Sequence, residues 1–301
     1  MSTYAFDVPK ELASIKSFRK LESILGLKGE FLLEVNRNAN VLYRQFYKGK
    51  KKRLIDNPLD PLKCVQDRIN KRILVKIPPH YFMYGGVKGK NIRYNAIPHL
   101  QKKIILKLDI SKYFQSTYDK RVFNFFRHDL SYGPRISSLL TRLTTRNHYL
   151  PQGAPSSTTL VNLLNSSLAS EFEKFCNSRE LNVSFWVDDI TISGKNPEQY
   201  MKFYEERIMK YGYMVNDKKT NLIKNNKQQF TPGVVVNRVL SVPKERIKKY
   251  SDAIFESFRS GEIEGDAKIR GQIQHVVDIN PKQGSRLIKL RKNLIERSKQ
   301  K

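Results

Sequence analysis

The sequence predicts an α+β protein that is mostly helical outside a small antiparallel sheet. Residues 185–193 place two adjacent aspartates between short runs of β-branched and aromatic residues, which is typical of a strand, a tight turn and a second strand. Residues 103–109 form an apolar run that ends in a single aspartate, which predicts a buried strand. Flanking segments repeat apolar residues at steps of three and four, as amphipathic helices do.

Helices are predicted on both sides of these strands. Residues 1–47 predict an N-terminal helical layer, with a second helix from Phe31 to Tyr47 after two glycines. Ser156 and Ser157 predict the cap of a later helix. Further helices are expected at residues 62–74, 119–149, 158–175 (Thr158 to Phe175), 197–211 and from 237 onward.

The three aspartates are candidate ligands for a cation. Asp188 and Asp189 lie at the predicted turn, where adjacent like charges repel unless a divalent cation or a basic surround relieves them. Aspartate is also an ordinary turn residue, so a polar hairpin is the alternative for these two residues alone. Asp109 ends a separate strand, and with Asp188 it could share two hard cations such as Mg²⁺. Such a pair of ions suits in-line phosphoryl transfer.

The charge balance favours a polyanionic partner. The 301 residues include 56 Lys and Arg against 28 Asp and Glu, which gives a formal net charge of +28. Aromatic residues are interleaved with these cations, and this favours nucleic acid over a merely soluble basic protein. With 39% hydrophobic residues the chain can bury a core, which excludes wholesale disorder.

Other kinds of site and location find little support. Cys64 and Cys176 are the two cysteines, so neither a disulfide framework nor a cysteine zinc site is indicated. The five histidines lack metal-ligand spacing. The amino terminus lacks the pattern of a secretory signal, and no apolar run approaches the ~20 residues that span a bilayer. We therefore expect a cytoplasmic protein with no membrane partner.

Three motifs follow one another in the chain, at residues 108–114, 150–157 and 186–189. In content, order and spacing they resemble motifs A, B and C of reverse transcriptases, and within that family the bacterial retron type. The resemblance extends from about Lys50 to the C-terminus, and residues 150–157 are its most specific match. It implies a right-hand polymerase that adds deoxynucleotides along an RNA template with two Mg²⁺ ions.

The resemblance also implies a division of the chain. Residues 1–105 correspond to N-terminal helices and fingers, residues 106–236 to the palm, and residues 237–301 to a basic, RNA-binding thumb. Within the palm range, about residues 119–149 are expected to be a helical addition to the fingers.

The catalytic residues that the resemblance implies are Asp109, Asp188 and Asp189. Asp109, the Ile110 carbonyl and Asp188 would hold the metal ions, with Asp189 as a supporting or occasional ligand. The third motif departs from the family pattern, because Trp186 stands where tyrosine is usual. Tryptophan keeps a flat apolar surface but lacks the phenol oxygen, so contacts with the primer or sugar could differ.

Four cations are candidates for binding the triphosphate of an incoming nucleotide. Lys51, Lys52 and Arg53 end a cationic run that could also be a solvated face. Arg53 fits the role best, because a guanidinium binds phosphate oxygens bidentately. Lys219 follows the third motif and would reach the triphosphate and protonate the leaving pyrophosphate, unless it is a solvated lysine.

Two side chains are candidates for selecting the nucleotide. Phe114 lies five residues after Asp109, where reverse transcriptases place an aromatic steric gate against a ribose 2′-hydroxyl. Without the motif it would be read as a core phenylalanine. Gln152 would lie beside the incoming nucleotide and the template base, although a lone Pro-Gln-Gly is an ordinary turn.

Nucleic-acid contacts are expected at Trp186, in residues 230–236 and in the thumb. Residues 230–236 resemble the retron primer-grip strand, with Gly233 as the candidate contact and Pro232 replacing the middle residue of the usual Val-Thr-Gly. Cationic helices of the thumb would bind phosphates without reading sequence. The thumb candidates are Arg270, Arg286, Lys289, Arg291 and Lys292.

Two further segments have open roles. Residues 84–90 are rich in glycine and lysine but lack Walker spacing, so they either approach a phosphate chain or simply turn. His99 ends an Asn-Ala-x-x-His stretch similar to that of retron enzymes. We expect a structural or RNA-contacting role for it rather than a catalytic one.

A retron enzyme would prime from the 2′-hydroxyl of an internal guanosine in its own structured RNA and yield branched multicopy single-stranded DNA. The resemblance implies as partners that non-coding RNA, the RNA–DNA product, deoxynucleoside triphosphates and an effector protein encoded nearby, in phage defence. The compact length favours the retron over the group II intron type. The alternatives are another bacterial reverse transcriptase, of the intron or abortive-infection type, that extends an annealed primer, and a non-catalytic RNA-binding protein.

Overall fold

The computed structural model describes residues 4–49, 52–263 and 266–299. Lys50 and Lys51, in the cationic run, lie outside the described residues. The α-helices are α1 (Phe18–Leu25), α2 (Gly29–Arg37), α3 (Leu62–Arg72), α4 (Ile92–Ala96), α5 (Asp119–Asn124), α6 (Pro134–Thr144), α7 (Ser157–Leu164), α8 (Ser166–Asn177), α9 (Met201–Lys210), α10 (Lys244–Arg259), α11 (Ala267–Ile279) and α12 (Pro281–Lys299). The strands are β1 (Tyr43–Lys48), β2 (Arg53–Pro58), β3 (Ile104–Asp109), β4 (Asn182–Trp186), β5 (Asp189–Gly194), β6 (Asn221–Lys224), β7 (Phe230–Thr231) and β8 (Val234–Val235).

A four-stranded antiparallel sheet lies at the centre, with its strands in the order β4-β5-β3-β6. β3 pairs with β5 so that Asp109 lies opposite Asp189, and with β6 so that Ile104 lies opposite Lys224. Helices surround this sheet, and the α+β prediction is therefore confirmed. The limits proposed for fingers, palm and thumb stay predictions.

The two faces of β3 contact different cores. Leu106 and Leu108 pack into the main core with the N-terminal and middle helices. Ile105 points to the other face and packs into a second core with Val234 and the C-terminal helices. Because side chains alternate along a strand, Asp109 lies on the same face of β3 as Ile105. It is the last residue of β3, at the end of the strand away from Ile105.

The N-terminal layer departs from the prediction in two places. Residues 4–17 contain one 3₁₀ turn at Lys10–Leu12, and the first α-helix begins only at Phe18. α1 and α2 bury apolar side chains in the main core, but the second helix predicted from Phe31 to Tyr47 ends at Arg37. Residues 43–48 instead form β1, which pairs with β2 in an antiparallel hairpin. Their aromatic side chains favour a strand, and the pairing satisfies backbone groups that would otherwise lack partners.

The helix predicted at residues 158–175 is interrupted. It consists of α7 and α8, with the break at Asn165, whose φ is −103° and ψ is 9°. Asn165 Nδ2 donates to the hydroxyls of Tyr113 and Tyr213 at 2.9 and 3.0 Å. At the break, Asn165 therefore makes hydrogen bonds with two segments that are distant in the sequence.

The predicted serine cap of α7 is wrong. Ser156 makes no side-chain hydrogen bond to the first turn of the helix. Ser157 Oγ donates instead to the Pro151 carbonyl at 2.7 Å. The serine thus fastens the preceding loop to the helix rather than capping its backbone.

Residues 230–236 form a hairpin rather than the single strand that the resemblance implied. Pro232 and Gly233 make the turn between β7 and β8, and Gly233 has a φ of +76°. Proline followed by glycine suits the two central positions of a type II turn, because proline fixes the first φ and glycine accepts a positive second φ. The sequence therefore contained the signal for this turn.

The other predicted helices are confirmed by α3, α9 and α10 to α12. In the range 119–149, α5 and α6 are helical, whereas residues 145–149 are not. Across the described ranges, no helix combines the length and the apolar composition that a membrane crossing requires.

His99 joins two strands of the sheet. Its buried ring lies with Nδ1 2.7 Å from Ser193 Oγ on β5 and Nε2 2.8 Å from Ser184 Oγ on β4. Burial, with the positive charge of Lys102 adding to it, lowers the pKa of His99 to about 3. A neutral imidazole offers one donor and one acceptor, and the two hydroxyls satisfy both. These contacts support a structural role.

Replacing His99 by alanine is expected to lower the free energy of unfolding by about 2–4 kcal/mol, because it leaves a cavity and two buried hydroxyls without their partner. Urea unfolding followed by circular dichroism measures the change. His128→Ala is the matched control: its side chain is exposed, and its removal is expected to cost no more than about 0.5 kcal/mol. Equal unfolding midpoints for the two variants would contradict the structural role.

Candidate active site

The three aspartates converge where β3, β5 and the β4–β5 turn meet. Asp109 is the last residue of β3 and pairs with Asp189, the first residue of β5. The Ile110 N–H donates to the Asp188 carbonyl at 3.0 Å, which fixes the turn against the end of β3. The structure therefore brings the predicted carboxylates and Ile110 to one end of the sheet.

The turn that carries Asp188 is strained and closely supported. Val187 has a φ of +56°, which is rare for a β-branched residue. Gly85 packs against this turn so tightly that a Cβ added to it would lie 2.7 Å from Val187 Cγ2 and 2.8 Å from the Val187 nitrogen. The glycine-rich segment at residues 84–90 therefore supports the acidic turn.

The Asp109 carboxylate is paired within the protein. Lys219 Nζ lies 2.5 Å from Asp109 Oδ1, and Asn216 Nδ2 donates to the same oxygen at 3.1 Å. The backbone N–H of Asn216 also donates to the Asp109 carbonyl at 2.8 Å. These bonds hold the segment that contains Lys219 against the end of β3. They also place a positive charge beside Asp109, the most buried of the three acids.

Burial raises the pKa of both carboxyls at the turn. For Asp188 the negative charge of Asp109 adds to the effect of burial. For Asp189 the ammonium of Lys107 opposes it. Burial lowers the pKa of Lys107 itself, against the opposing influence of the two nearby acids. A cation bound here would relieve the desolvation and the repulsion of these carboxylates.

The donor atoms at this end of the sheet fit a hard cation. Asp109, Asp188 and Ile110 line one cleft, with Asp189 beside them, and all of them offer oxygen. In the part of the chain that the structure describes, no three Asp, Glu, His or Cys side chains form a complete metal site. Mg²⁺ commonly takes one or two carboxylates and completes its coordination with water and substrate phosphates, so it suits this partial donor set.

The cleft in front of the acids has a volume of about 740 Å³. This volume lies within the range of small-molecule sites in proteins. The predicted site residues that line it are Arg53, Asp109, Ile110, Phe114, Gln152, Trp186, Asp188, Asp189 and Lys219. The structure thus brings together side chains from five separate segments of the chain.

One wall of the cleft joins the β1–β2 hairpin to the loop before α7. Arg53 is the first residue of β2, and the Asp56 N–H donates to the Gln152 carbonyl at 2.8 Å. Gly153 has a φ of +123°, and a Cβ there would lie 2.8 Å from Ile55 Cγ2. This close packing holds Arg53 and Gln152 in the same wall.

Two predicted contacts lie away from the cleft. Lys52 is exposed at the turn of the β1–β2 hairpin and is not part of the lining. Gly233 lies at the tip of the β7–β8 hairpin, where a Cβ would lie 2.7 Å from Ile92 Cδ1 and 2.9 Å from Arg246 Nη1. The tip is therefore packed against the chain itself.

The five predicted thumb cations lie on the last two helices, also away from the cleft. Arg286, Lys289 and Lys292 are exposed and recur at three-residue steps, so they share one face of α12. Arg291 Nη2 donates to the Ile263 carbonyl at 2.8 Å, which gives it a role in packing. On α11, Arg270 borders a groove that Arg291 and Lys292 also line.

Two residues of the site escaped the sequence-based prediction. Asn216 donates a hydrogen bond that orients the Asp109 carboxylate. Lys107 lies two residues before Asp109, and its Nζ is 4.6 Å from the centre of the Phe230 ring. Lys107 could have been found, because a lysine at this spacing in an otherwise apolar strand shares the face of the acid. Asn216 offered no comparable pattern, since its contact depends on how a later turn folds back.

Comparison with known proteins gives one family. A family model described as reverse transcriptase (RNA-dependent DNA polymerase) matches residues 47–236. This range contains the three motifs and every predicted residue that lines the cleft.

Curated relatives narrow the family further. The retron Ec86 reverse transcriptase of Escherichia coli is 32% identical over 255 residues, which cover 82% of this chain and 78% of that protein. The retron Se72 reverse transcriptase of Salmonella heidelberg is 29% identical, covering 69% of this chain and 58% of the relative. For the retron Mx65 reverse transcriptase of Myxococcus xanthus the identity is 27%, with coverages of 80% and 61%. The chain therefore belongs to the reverse transcriptases, the RNA-directed DNA polymerases, and among them to the bacterial retron type.

Proposed function

We propose that the cleft copies a cognate structured RNA into branched multicopy single-stranded DNA. The observation that carries the proposal is the meeting of Asp109, Asp188 and Asp189 at one end of a cleft that also contains Arg53 and Gln152. Templated nucleotide addition requires acids that hold catalytic cations, a cation that binds phosphates and a group that contacts the base. The three aspartates, Arg53 and the Gln152 amide would fill these roles. The retron relatives support the nature of the template and product.

The acids and one carbonyl would hold two Mg²⁺ ions. Asp109, Asp188 and the Ile110 carbonyl are the proposed ligands, with Asp189 in support. When bound, such ions activate a primer hydroxyl and neutralise charge on the leaving pyrophosphate. The Lys219 ammonium, which now lies on Asp109, would turn on its flexible stem toward the nucleotide. Asn216 would keep the Asp109 carboxylate oriented meanwhile.

The triphosphate would be bound by cations on both sides of the cleft. Arg53 projects from β2 and suits a bidentate contact with phosphate oxygens. Lys219, beside the acids, would donate a proton to the pyrophosphate as it leaves. Lys52 is exposed next to Arg53 and would add positive charge at the same end of the nucleotide.

Phe114 and Gln152 would select the nucleotide. Phe114 lines the cleft and is half-buried, which favours the steric gate over a purely structural phenylalanine. Its flat ring would clash with a ribose 2′-hydroxyl and so favour deoxynucleotides. Gln152 would contact the base pair that forms between nucleotide and template.

The remaining predicted residues would contact the nucleic acid. Trp186 lines the cleft beside the acidic turn and would support the primer terminus by its flat surface. The backbone at Gly233, which Ile92 and Arg246 hold in place on one side, would contact the primer strand on its other side. The cations proposed to bind phosphates on the C-terminal helices are Arg270, Arg286, Lys289, Arg291 and Lys292.

Several retron properties are inferred from family membership. Synthesis would start at the 2′-hydroxyl of an internal guanosine of the cognate non-coding RNA, and the product would stay joined to that RNA. The protein would work in the cytoplasm, in phage defence, together with an effector protein encoded nearby.

The Asp188→Asn variant is expected to lose Mg²⁺-dependent deoxynucleotide incorporation on an RNA template by at least about 100-fold, because it removes a proposed metal ligand. Affinity for RNA is expected to stay within about twofold, since the change is nearly isosteric and away from the cationic helices. Primer extension and a gel-shift titration measure the two quantities. Asp252→Asn, at an exposed position on α10, is the matched control. Wild-type incorporation by Asp188→Asn would contradict the metal assignment.

Expression of the chain with its flanking DNA tests the retron product. Small nucleic acids from these cells are expected to show on a denaturing gel one discrete band that is sensitive to both DNase and RNase. Cells that express Asp188→Asn provide the control, and they should lack the band. No band from the wild type, with extension of an annealed primer retained, would assign the chain to another mode of priming.

A further inference from the structure

A concave polar surface lies on the molecule away from the cleft. It has a volume of about 520 Å³. Its lining consists of amide and cationic side chains with one valine: Gln101, Lys102, Asn225, Asn226, Lys227, Gln228, Val235, Asn237 and Arg238. This surface, called the polar shelf below, has no acidic and no aromatic residue in its lining.

The polar shelf lies at the end of the central sheet opposite to the acids. Lys102 precedes β3, and the loop that contains Asn225 follows β6. Lys224 pairs with Ile104, the first residue of β3, whereas Asp109 is the last. Five residue steps along a strand correspond to about 17 Å. The polar shelf is therefore separate from the active site.

Internal hydrogen bonds fix the backbone of the polar shelf. Asn237 Oδ1 accepts from the Gln229 N–H at 2.7 Å, and Asn237 Nδ2 donates to the Lys227 carbonyl at 2.7 Å. Gln101 Nε2 donates to the Arg238 carbonyl at 2.8 Å. Two amides thus cross-link the segments that carry the cations. A backbone held in this way loses little conformational entropy when the surface binds a ligand.

The cations of the polar shelf are not neutralised by the protein. Among the residues that the structure describes, no ion pair involves Lys102, Lys227 or Arg238. Asn226 and Gln228 lie between them in the loop and are exposed. Their amides present donors and acceptors together. Cations and exposed amides side by side suit a ligand that carries both negative charges and hydroxyl groups.

We propose that the polar shelf binds the backbone of a double-stranded segment of RNA that lies outside the cleft. Lys102, Lys227 and Arg238 contact phosphates, and the amides of Asn226 and Gln228 bind 2′-hydroxyls, which distinguish RNA from DNA. With no aromatic side chain in its lining, the polar shelf offers no aromatic platform on which bases would stack. The proposal rests on the proposed function, because an enzyme that copies a structured RNA must hold the part of it that the cleft does not contain.

Two variants test the charges and the amides separately. The charge variant combines Lys102→Gln, Lys227→Gln and Arg238→Gln, and the amide variant combines Asn226→Ala and Gln228→Ala. A matched control, Lys16→Gln with Arg19→Gln and Lys28→Gln, removes three exposed cations of the N-terminal layer. The probes are a labelled RNA hairpin with a closed blunt stem and the DNA hairpin of the same sequence. Fluorescence anisotropy at several salt concentrations measures affinity.

The charge variant is expected to bind the RNA hairpin about tenfold more weakly, with a salt slope smaller by about 3, because about three phosphate contacts are lost. The control is expected to match the wild type. The amide variant is expected to lose preference for RNA over DNA while its affinity for the DNA hairpin is unchanged. Equal RNA affinity in the charge variant and the control would overturn the proposal. Competition by polyglutamate as strong as by the RNA hairpin would also overturn it.

Primer extension separates this proposal from the proposed function. On a short RNA template with an annealed DNA primer, both polar-shelf variants are expected to extend at the wild-type rate, because the cleft is unchanged. Extension by the wild type together with unaltered hairpin binding in the variants would refute the polar shelf alone. A wild type that cannot extend the primer would refute the proposed function instead.

Discussion

The pairing of β3 with β5 is the constraint on which the site depends. Its register places Asp109 opposite Asp189, and the hydrogen bond from Ile110 to Asp188 follows from it. A slip by one residue would turn Asp109 toward the main core and Leu108 toward the cleft. Burial of Leu106 and Leu108 on one face therefore fixes the position of the acid on the other.

Charge is the second requirement of the site. Three carboxylates meet in a partly buried position in a chain whose net charge is +28. Lys219 neutralises Asp109 directly, and Lys107 influences Asp189 from the same face of β3. The protein thus places ammonium groups close to the positions where metal ions are proposed to bind. This arrangement offsets the repulsion among the acids without closing the cleft.

Local sequence signals were enough to predict β3 and the acidic turn. The resemblance to reverse transcriptases, rather than any local pattern, supplied the other predicted residues that line the cleft, namely Arg53, Phe114, Gln152, Trp186 and Lys219. Local signals were insufficient for β1, because its short aromatic run suits a helix or a strand until β2 pairs with it. The break at Asn165 depends on the hydroxyls of Tyr113 and Tyr213, which no local pattern reveals. The turn at Pro232 and Gly233 could have been predicted, because proline followed by glycine indicates a turn. The resemblance to the retron primer-grip strand led to the prediction of a strand instead.

Iron-mediated backbone cleavage tests the central claim most directly, namely that the acids of β3 and of the turn bind the catalytic cations together. Fe²⁺ replaces Mg²⁺ in the complex with an RNA template, a primer and a deoxynucleotide, and ascorbate with peroxide generates radicals at the bound ion. The account predicts cuts near Asp109 and near Asp188, both suppressed by excess Mg²⁺. Cuts confined to other segments, or cuts that Mg²⁺ does not suppress, would contradict it.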